Sequence, residues 1–242
     1  MSKSAKRLGE DIMTKTITVF RKSESVRFNS GEVIVTKIIT LEDAMKKKQS
    51  ILFLGYDEHQ TTIIGAARAR GIDVHHSTSL AGSHVETELV ISFGLREIIP
   101  LRDIEEWGAP ILNIHISYLP YNRGAHPNFW SWYDGTPAGV TIHRIDAGLD
   151  TGPVVLQKLV NIDDSKTTFR ESHQIMISEA ESLFLDNLDF LNEGNWEETP
   201  QKIGGTYHRK SDLPTGFLGW DRIIKEEIAR LKYGEQDVSV AS

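Results

Sequence analysis

Between residues 51 and 160 short apolar runs recur, separated by helical or glycine-rich stretches, and this alternation constrains the fold more than any other feature of the chain. Ile51-Leu52-Phe53-Leu54-Gly55 is a continuous apolar run closed by glycine, the pattern of a strand buried on both faces. Ile72 to His75, Glu88 to Phe93 and Pro110 to His115 repeat it, and Gly139 to Ile145 and Pro153 to Val160 follow. Thr61 to Arg70, with Gly71 just beyond, and Leu101 to Trp107 carry helix signals between the strands. Together they predict an α/β fold: a Rossmann-like, mostly parallel sheet with helices on both faces. In such sheets ligands bind beyond the carboxyl ends of the strands.

Small N-terminal and C-terminal additions flank this core. Residues 1–48 read as a β-rich appendage with runs at Ile17 to Phe20 and Glu32 to Ile39, a turn at Asn29-Ser30-Gly31, and a short helix from Leu41 to Lys48 capped by Thr40. Residues 49–195 form the main domain, which closes with one long amphipathic helix from Thr167 to Leu191, ended by Gly194. Residues 196–242 form an extension that packs on this domain, with a helix from Trp220 to about Tyr233 and a frayed end from Gly234.

Composition excludes several chemistries. The chain has no cysteine, which removes disulfides, thiolate metal sites and cysteine nucleophiles. A net charge of −7 argues against a nucleic-acid partner gripped through its phosphates. No apolar run approaches the roughly 20 residues that span a bilayer. The N-terminal stretch is charged and has no apolar signal core. A cytoplasmic protein with no membrane partner is expected. His75-His76 reads as a solvated turn, so no metal site is expected, and His143 reads as a buried, hydrogen-bonded strand residue.

The chemistry concentrates between residues 113 and 152. Asn113 and His115 lie two apart on one strand and so share a face at its carboxyl end. Asp150 sits in the loop Asp146-Ala147-Gly148-Leu149-Asp150-Thr151-Gly152 between two later strands. An amide, an imidazole and a carboxylate converging on one point suit acyl transfer: they polarise a carbonyl, stabilise its developing charge and move a proton. No serine or cysteine is placed as a nucleophile, so the acceptor would attack directly. The same residues also fit turn capping alone.

Four pieces in order, Asn113-Ile114-His115, Leu119-Pro120 with Arg123-Gly124-Ala125, Gly139 to His143, and Asp146 to Gly152, resemble the formyltransferase family. That family includes methionyl-tRNA formyltransferase, glycinamide ribonucleotide transformylase and the sugar N-formyltransferases. The resemblance covers about residues 50–165, with weaker support at 204–213. It implies a formyltransferase fold, 10-formyltetrahydrofolate as co-substrate, and Asn113, His115 and Asp150 as the catalytic residues. By resemblance an amine attacks the formyl carbon, Asn113 and His115 hold the oxyanion, and Asp150 orients His115 and helps carry the proton away. The folate would lie against Phe93, Gly94, Leu95, Arg96, Glu97, Ile98 and Ile99 and the loop bearing Asp146 and Gly148.

Within the family, His115 to Trp130 and Gly205 to Leu213 most resemble the sugar N-formyltransferases. The implied acceptor is a nucleotide-linked, dTDP-linked 3- or 4-amino-deoxyhexose of O-antigen lipopolysaccharide biosynthesis. Tyr121, Asn122, Arg123, Asn128, Trp130, Tyr207, His208 and Arg209 would bind it, with Arg123, Arg209 and Lys210 against the diphosphate. A homodimer is implied as well. Phe129, Trp130 and Trp132 read equally well as core aromatics. Another amine acceptor (a ribonucleotide or aminoacyl-tRNA), water, and a non-catalytic binding module stand as alternatives; the negative charge and the short sequence after the long helix weigh against tRNA. The first 48 residues have no family counterpart on this reading. The span from Ile51 to Asn113 is short for the family, so an element of the folate-binding half is expected to be lost or supplied by the N-terminal segment.

Overall fold

The computed structural model describes residues 49–234 together with residues 19–20, 24–28, 31–35 and 38–39, and the chain divides into two compact units, 1–48 and 49–242. In the first unit, β1 (Val19–Phe20), β2 (Glu24–Phe28), β3 (Gly31–Val35) and β4 (Ile38–Ile39) form two antiparallel pairs. β2 pairs with β3, Phe28 opposite Gly31, and β1 pairs with β4; Asn29 and Ser30 of the expected turn lie outside the described residues. The single run expected from Glu32 to Ile39 is therefore two strands. The helix expected over Leu41 to Lys48 and the chain end beyond Gly234 lie outside the described residues.

The second unit runs β5 (Ser50–Gly55), α1 (Ile63–Ala69), β6 (Asp73–Ser77), β7 (Leu89–Phe93), α2 (Leu101–Glu106), β8 (Ile111–His115), β9 (Arg123–Gly124), α3 (Pro127–Tyr133), β10 (Gly139–Arg144), β11 (Val154–Leu159), α4 (Phe169–Asp186), α5 (Leu188–Glu193), β12 (Tyr207–His208) and α6 (Ile224–Tyr233). Six strands form one sheet in the order β11-β10-β8-β7-β5-β6. β6, β5, β7 and β8 are mutually parallel, and β10 runs antiparallel to both its neighbours. The inner parallel strands β5 and β7 are almost wholly apolar because both faces are covered, whereas the edge strand β6 carries Asp73, His75, His76 and Ser77. Ile51 and Phe53 of β5 pack with α1, α4 and α5, whereas Leu52 and Leu54 face Trp107 and Ile104 beside α2.

From β5 the chain crosses through α1 to the edge strand β6, then returns to β7 on the other side of β5. This reversal opens a crevice beyond the carboxyl ends of β5 and β7, where open α/β sheets take their ligands. The Tyr56 N–H donates to the Phe93 carbonyl at 2.8 Å across that point.

The long helix expected from Thr167 to Leu191 is broken at Asn187. There the side-chain Nδ2 donates to the Leu183 carbonyl at 2.8 Å, and the backbone leaves helical geometry at φ −112°. Thr168 and Glu171 form a reciprocal capping box at the start of α4. Gly194 ends α5 in the left-handed region. The C-terminal extension belongs to the same compact unit. Ile224 of α6 packs with Phe129, Trp130 and Phe169, and β12 pairs in parallel with β9.

Candidate active site

β8 ends in alternating polar and apolar residues, and the alternation puts Asn113 and His115 on one face. Antiparallel β10 lies beside it in a register that sets His143 against Asn113. The loop from Asp146 returns under this face. It is held by its own bonds: the Asp146 carboxylate accepts the Gly148 N–H at 3.0 Å and the Thr151 hydroxyl at 2.6 Å. Gln201 Nε2 donates to the carbonyls of Asp150 and Gly152. Asp150 itself adopts φ +53°, a conformation aspartate tolerates better than most residues.

These elements bring the three residues together. Asn113 Nδ2 lies 3.3 Å from Asp150 Oδ1 and 3.2 Å from His143 Nε2. His115 Nε2 donates to the Asn122 carbonyl at 3.1 Å. It stands 3.9 Å from Asp150 Oδ2, within ion-pair reach but beyond a hydrogen bond. The His115 ring is thus hydrogen-bonded to the Asn122 carbonyl, with the Asp150 carboxylate beside it at ion-pair distance. Asp150 Oδ2 instead accepts the Gly124 N–H at 2.9 Å.

Burial pushes the His115 imidazole below its ordinary value; the Asp150 charge and the Asn122 carbonyl only partly offset this, and His143 adds to it. The ring is neutral at neutral pH. Burial alone would raise the Asp150 carboxyl, but His115, His143 and the Gly124 N–H together outweigh it and hold the group well below the usual carboxylate range. The pair is thus a neutral imidazole beside a persistent carboxylate.

A cavity of about 1110 Å³ opens over these side chains at the β5–β7 crevice. One half is lined by Tyr56, by residues 93–99 and by residues 145–149, which include the expected Phe93, Gly94, Leu95, Arg96, Ile98, Asp146 and Gly148. The other half is lined by residues 124–129, by the Arg170, His173, Gln174 and Ile177 face of α4, and by residues 207–210 and Trp220. The acidic lining residues are Glu97, Asp146 and Asp150; the second half contributes cations and rings with no carboxylate. Arg170 is held there in two bonds to Asp221.

Of the expected acceptor-binding residues, Tyr207, His208 and Arg209 line the second half, as does Asn128 in part. Asn128 uses its amide inward, on the Phe169 carbonyl and the Ser172 hydroxyl, and so ties α3 to α4. Tyr121, Asn122, Arg123 and Trp130 do not line the cavity. The Asn122 side chain is fully buried, and its amide is committed to Ser131, Thr136 and Thr206. Trp130 lies behind His208, the two rings stacked at 3.7 Å and 5°. Asp134 holds the same His208 through Nε2 at 2.8 Å. Arg123 pairs through its backbone with Thr206. The lining residues Tyr56, His126, His143, His173, Gln174 and Trp220 were not anticipated. The polar exposed face of α4 was a signal for two of them.

A pocket at the switch point of a Rossmann-like sheet, walled by the Asn113 amide, the neutral His115 imidazole and the ionised Asp150 carboxylate, defines an α/β protein with a ligand site beyond the carboxyl ends of its strands. The chain belongs to the formyl transferase family, whose model matches residues 32–186. That match begins inside the segment for which the sequence alone offered no counterpart. The chain is 32% identical over 191 residues to the methionyl-tRNA formyltransferase of Roseobacter denitrificans, covering 74% of this chain and 61% of that one. It is 33% identical over 126 residues to the dTDP-4-amino-4,6-dideoxyglucose formyltransferase of Mycobacterium bovis, covering 52% of this chain and 53% of that one. It therefore spans less than two thirds of either relative. The crystal structure of the formyltransferase PseJ from Anoxybacillus kamchatkensis, in complex with UDP-4,6-dideoxy-4-formamido-L-AltNAc and tetrahydrofolate, superposes with a TM-score of 0.68 at 31% identity. It covers 76% of this chain and 100% of that one.

Proposed function

We propose that the protein transfers a formyl group from 10-formyltetrahydrofolate to the amine of a nucleotide-linked amino sugar. The observation that carries this reading is a single cavity with Asn113, His115 and Asp150 between two chemically different halves. Its volume exceeds the ~300–1,000 Å³ of an ordinary single-ligand pocket. The half lined by residues 93–99 and 145–149 offers main-chain edges that suit a pterin. Gly94 stands at φ +72° with Tyr56 so close that any side chain would strike its ring. The other half presents rings and the exposed cations Arg209 and Lys210, the chemistry of a nucleobase and a diphosphate.

The folate supplies an activated formyl carbon. Asn113 directs its amide N–H at the formyl oxygen, where negative charge develops as the amine nitrogen bonds to carbon. His115, neutral and with Nδ1 not engaged, accepts the proton released by the amine. Asp150 stays ionised and stabilises the imidazolium that results; as the oxyanion collapses the formyl carbon–N10 bond breaks, and the departing tetrahydrofolate nitrogen takes the proton back from His115. A positioned donor such as Asn113 contributes roughly 10²–10³ in rate.

We favour a dTDP-linked 3- or 4-amino-deoxyhexose of O-antigen lipopolysaccharide as acceptor, handled by a cytoplasmic homodimer. The likeness to the Mycobacterium bovis enzyme supports the nucleotide. No described helix is long and apolar enough to cross a membrane. The test is to supply 10-formyltetrahydrofolate with a panel of dTDP- and UDP-linked 3-amino and 4-amino hexoses, with methionyl-tRNA as a further arm. Tetrahydrofolate release with an amino-sugar nucleotide is expected. Turnover with methionyl-tRNA alone would replace the acceptor proposed here, and sedimentation velocity decides the dimer.

A further inference from the structure

We propose that His143 is a positioning residue that fixes the orientation of the Asn113 amide, so that its N–H edge, and not its oxygen, faces the reacting carbonyl. This rests on the formyl transfer proposed above. The His143 ring is 1% exposed, and Nδ1 lies 2.9 Å from the Arg144 carbonyl. A carbonyl can only accept, so Nδ1 carries the hydrogen. In a neutral ring Nε2 is then a lone-pair acceptor that needs a donor. The group within hydrogen-bond distance of it is Asn113 Nδ2, at 3.2 Å. Asp150 Oδ1 stays at 3.6 Å, beyond a hydrogen bond.

Asp150 makes the same demand on the amide from another side. Its Oδ1 lies 3.3 Å from the same Nδ2, and an amide oxygen placed there would oppose a carboxylate. Two independent neighbours thus require nitrogen at one position. One N–H is directed at His143, at 3.2 Å, and the other at Asp150, at 3.3 Å, where an entering formyl oxygen can share it. The backbone builds this arrangement: His143 stands opposite Asn113 in the β8–β10 pairing, and on its other side it pairs with Val154 of β11, where a register shift after Ile142 leaves Val155 as the extra residue.

The ring's tautomer is a readout that needs neither substrate nor substitution. Long-range ¹H–¹⁵N spectra of the wild-type protein at pH 7.5 should show His143 as a neutral ring with the hydrogen on Nδ1. A hydrogen on Nε2, or on both nitrogens, overturns the proposal. The kinetic test compares His143→Leu with His143→Gln, which keeps an acceptor and a donor. The leucine variant should lower kcat about tenfold, a fraction of the loss for an oxyanion donor, with both KM values within twofold of wild type. The glutamine variant should recover most of kcat. An unchanged kcat in the leucine variant, or a loss confined to KM, also overturns it. If the leucine variant does not fold by circular dichroism, the wild-type tautomer decides alone. Wild-type protein inactive on every amine defeats the proposed function while leaving the tautomer result intact.

Discussion

The backbone N–H of Gly124 donates to Asp150 Oδ2 at 2.9 Å, so one carboxylate ties the Asn113 amide to the β9 strand and its partner β12. Asp150→Asn keeps an oxygen for Gly124 and removes the charge. We expect kcat to fall by about 10²-fold or more, as for loss of a catalytic acid–base group, while the thermal midpoint shifts little. Steady-state kinetics and a melting curve check this; a kcat within threefold of wild type contradicts the role given to the carboxylate.

The pH profile follows from the same pair. Burial, the leading influence, lowers His115 below its ordinary 6.5, and in the mechanism proposed above the neutral ring is the base. The rate should therefore hold constant through pH 6.5 and fall only on further acidification. Asp150, depressed well below its ordinary 3.8, adds no limb in that window. Stability runs the same way. The unfolded chain binds protons at both sites where the native state does not, so stability rises with pH through the His115 window and is lost again as pH drops below the ordinary carboxylate range. A plateau ending above pH 7 on the acid side would rule out a neutral His115 as the base.

Gly124→Ala tests the link between β9 and β12. Gly124 has φ +87°, and an added Cβ would run into the His208 carbonyl and the Tyr207 ring. The variant should lose more than about 1 kcal/mol in urea unfolding. It should bind dTDP at least tenfold more weakly, with folate affinity retained. Equal losses for both ligands in calorimetric titration would show that the two halves are not separable.

Arg209→Ala combined with Lys210→Ala removes two exposed cations from the acceptor wall while leaving the Arg170–Asp221 pair intact. KM for the sugar nucleotide should rise about tenfold at low ionic strength, and the difference should shrink as salt screens the interaction. KM for folate is the internal control. A salt-independent change would point to a packing defect instead of lost charge.

Much of the sheet was legible because its signals are local. Ile51 to Leu54 is apolar at every position and Leu89 to Phe93 at all but Ser92, because both faces are covered, and the whole record of that lies in a few consecutive residues. Asn113 and His115 were legible for the same reason, since a spacing of two assigns them to one face. His143 was not. Its spacing resembles any buried strand residue, and its nearness to Asn113 comes from pairing between strands thirty residues apart.

What the chain's sequence determined by itself is thus the strands and helices, the position of the reactive stretch and its family, because periodicity and short-range motifs need only neighbouring residues. The tertiary structure decided which side chains meet. It turned Asn122 and Trp130 inward as supports for His115 and His208, broke the long helix at Asn187, and aimed the Arg170, His173 and Gln174 face of α4 at the cavity. The reason is physical: whether a polar side chain faces solvent, core or ligand depends on what packs against it, and those partners come from distant parts of the chain.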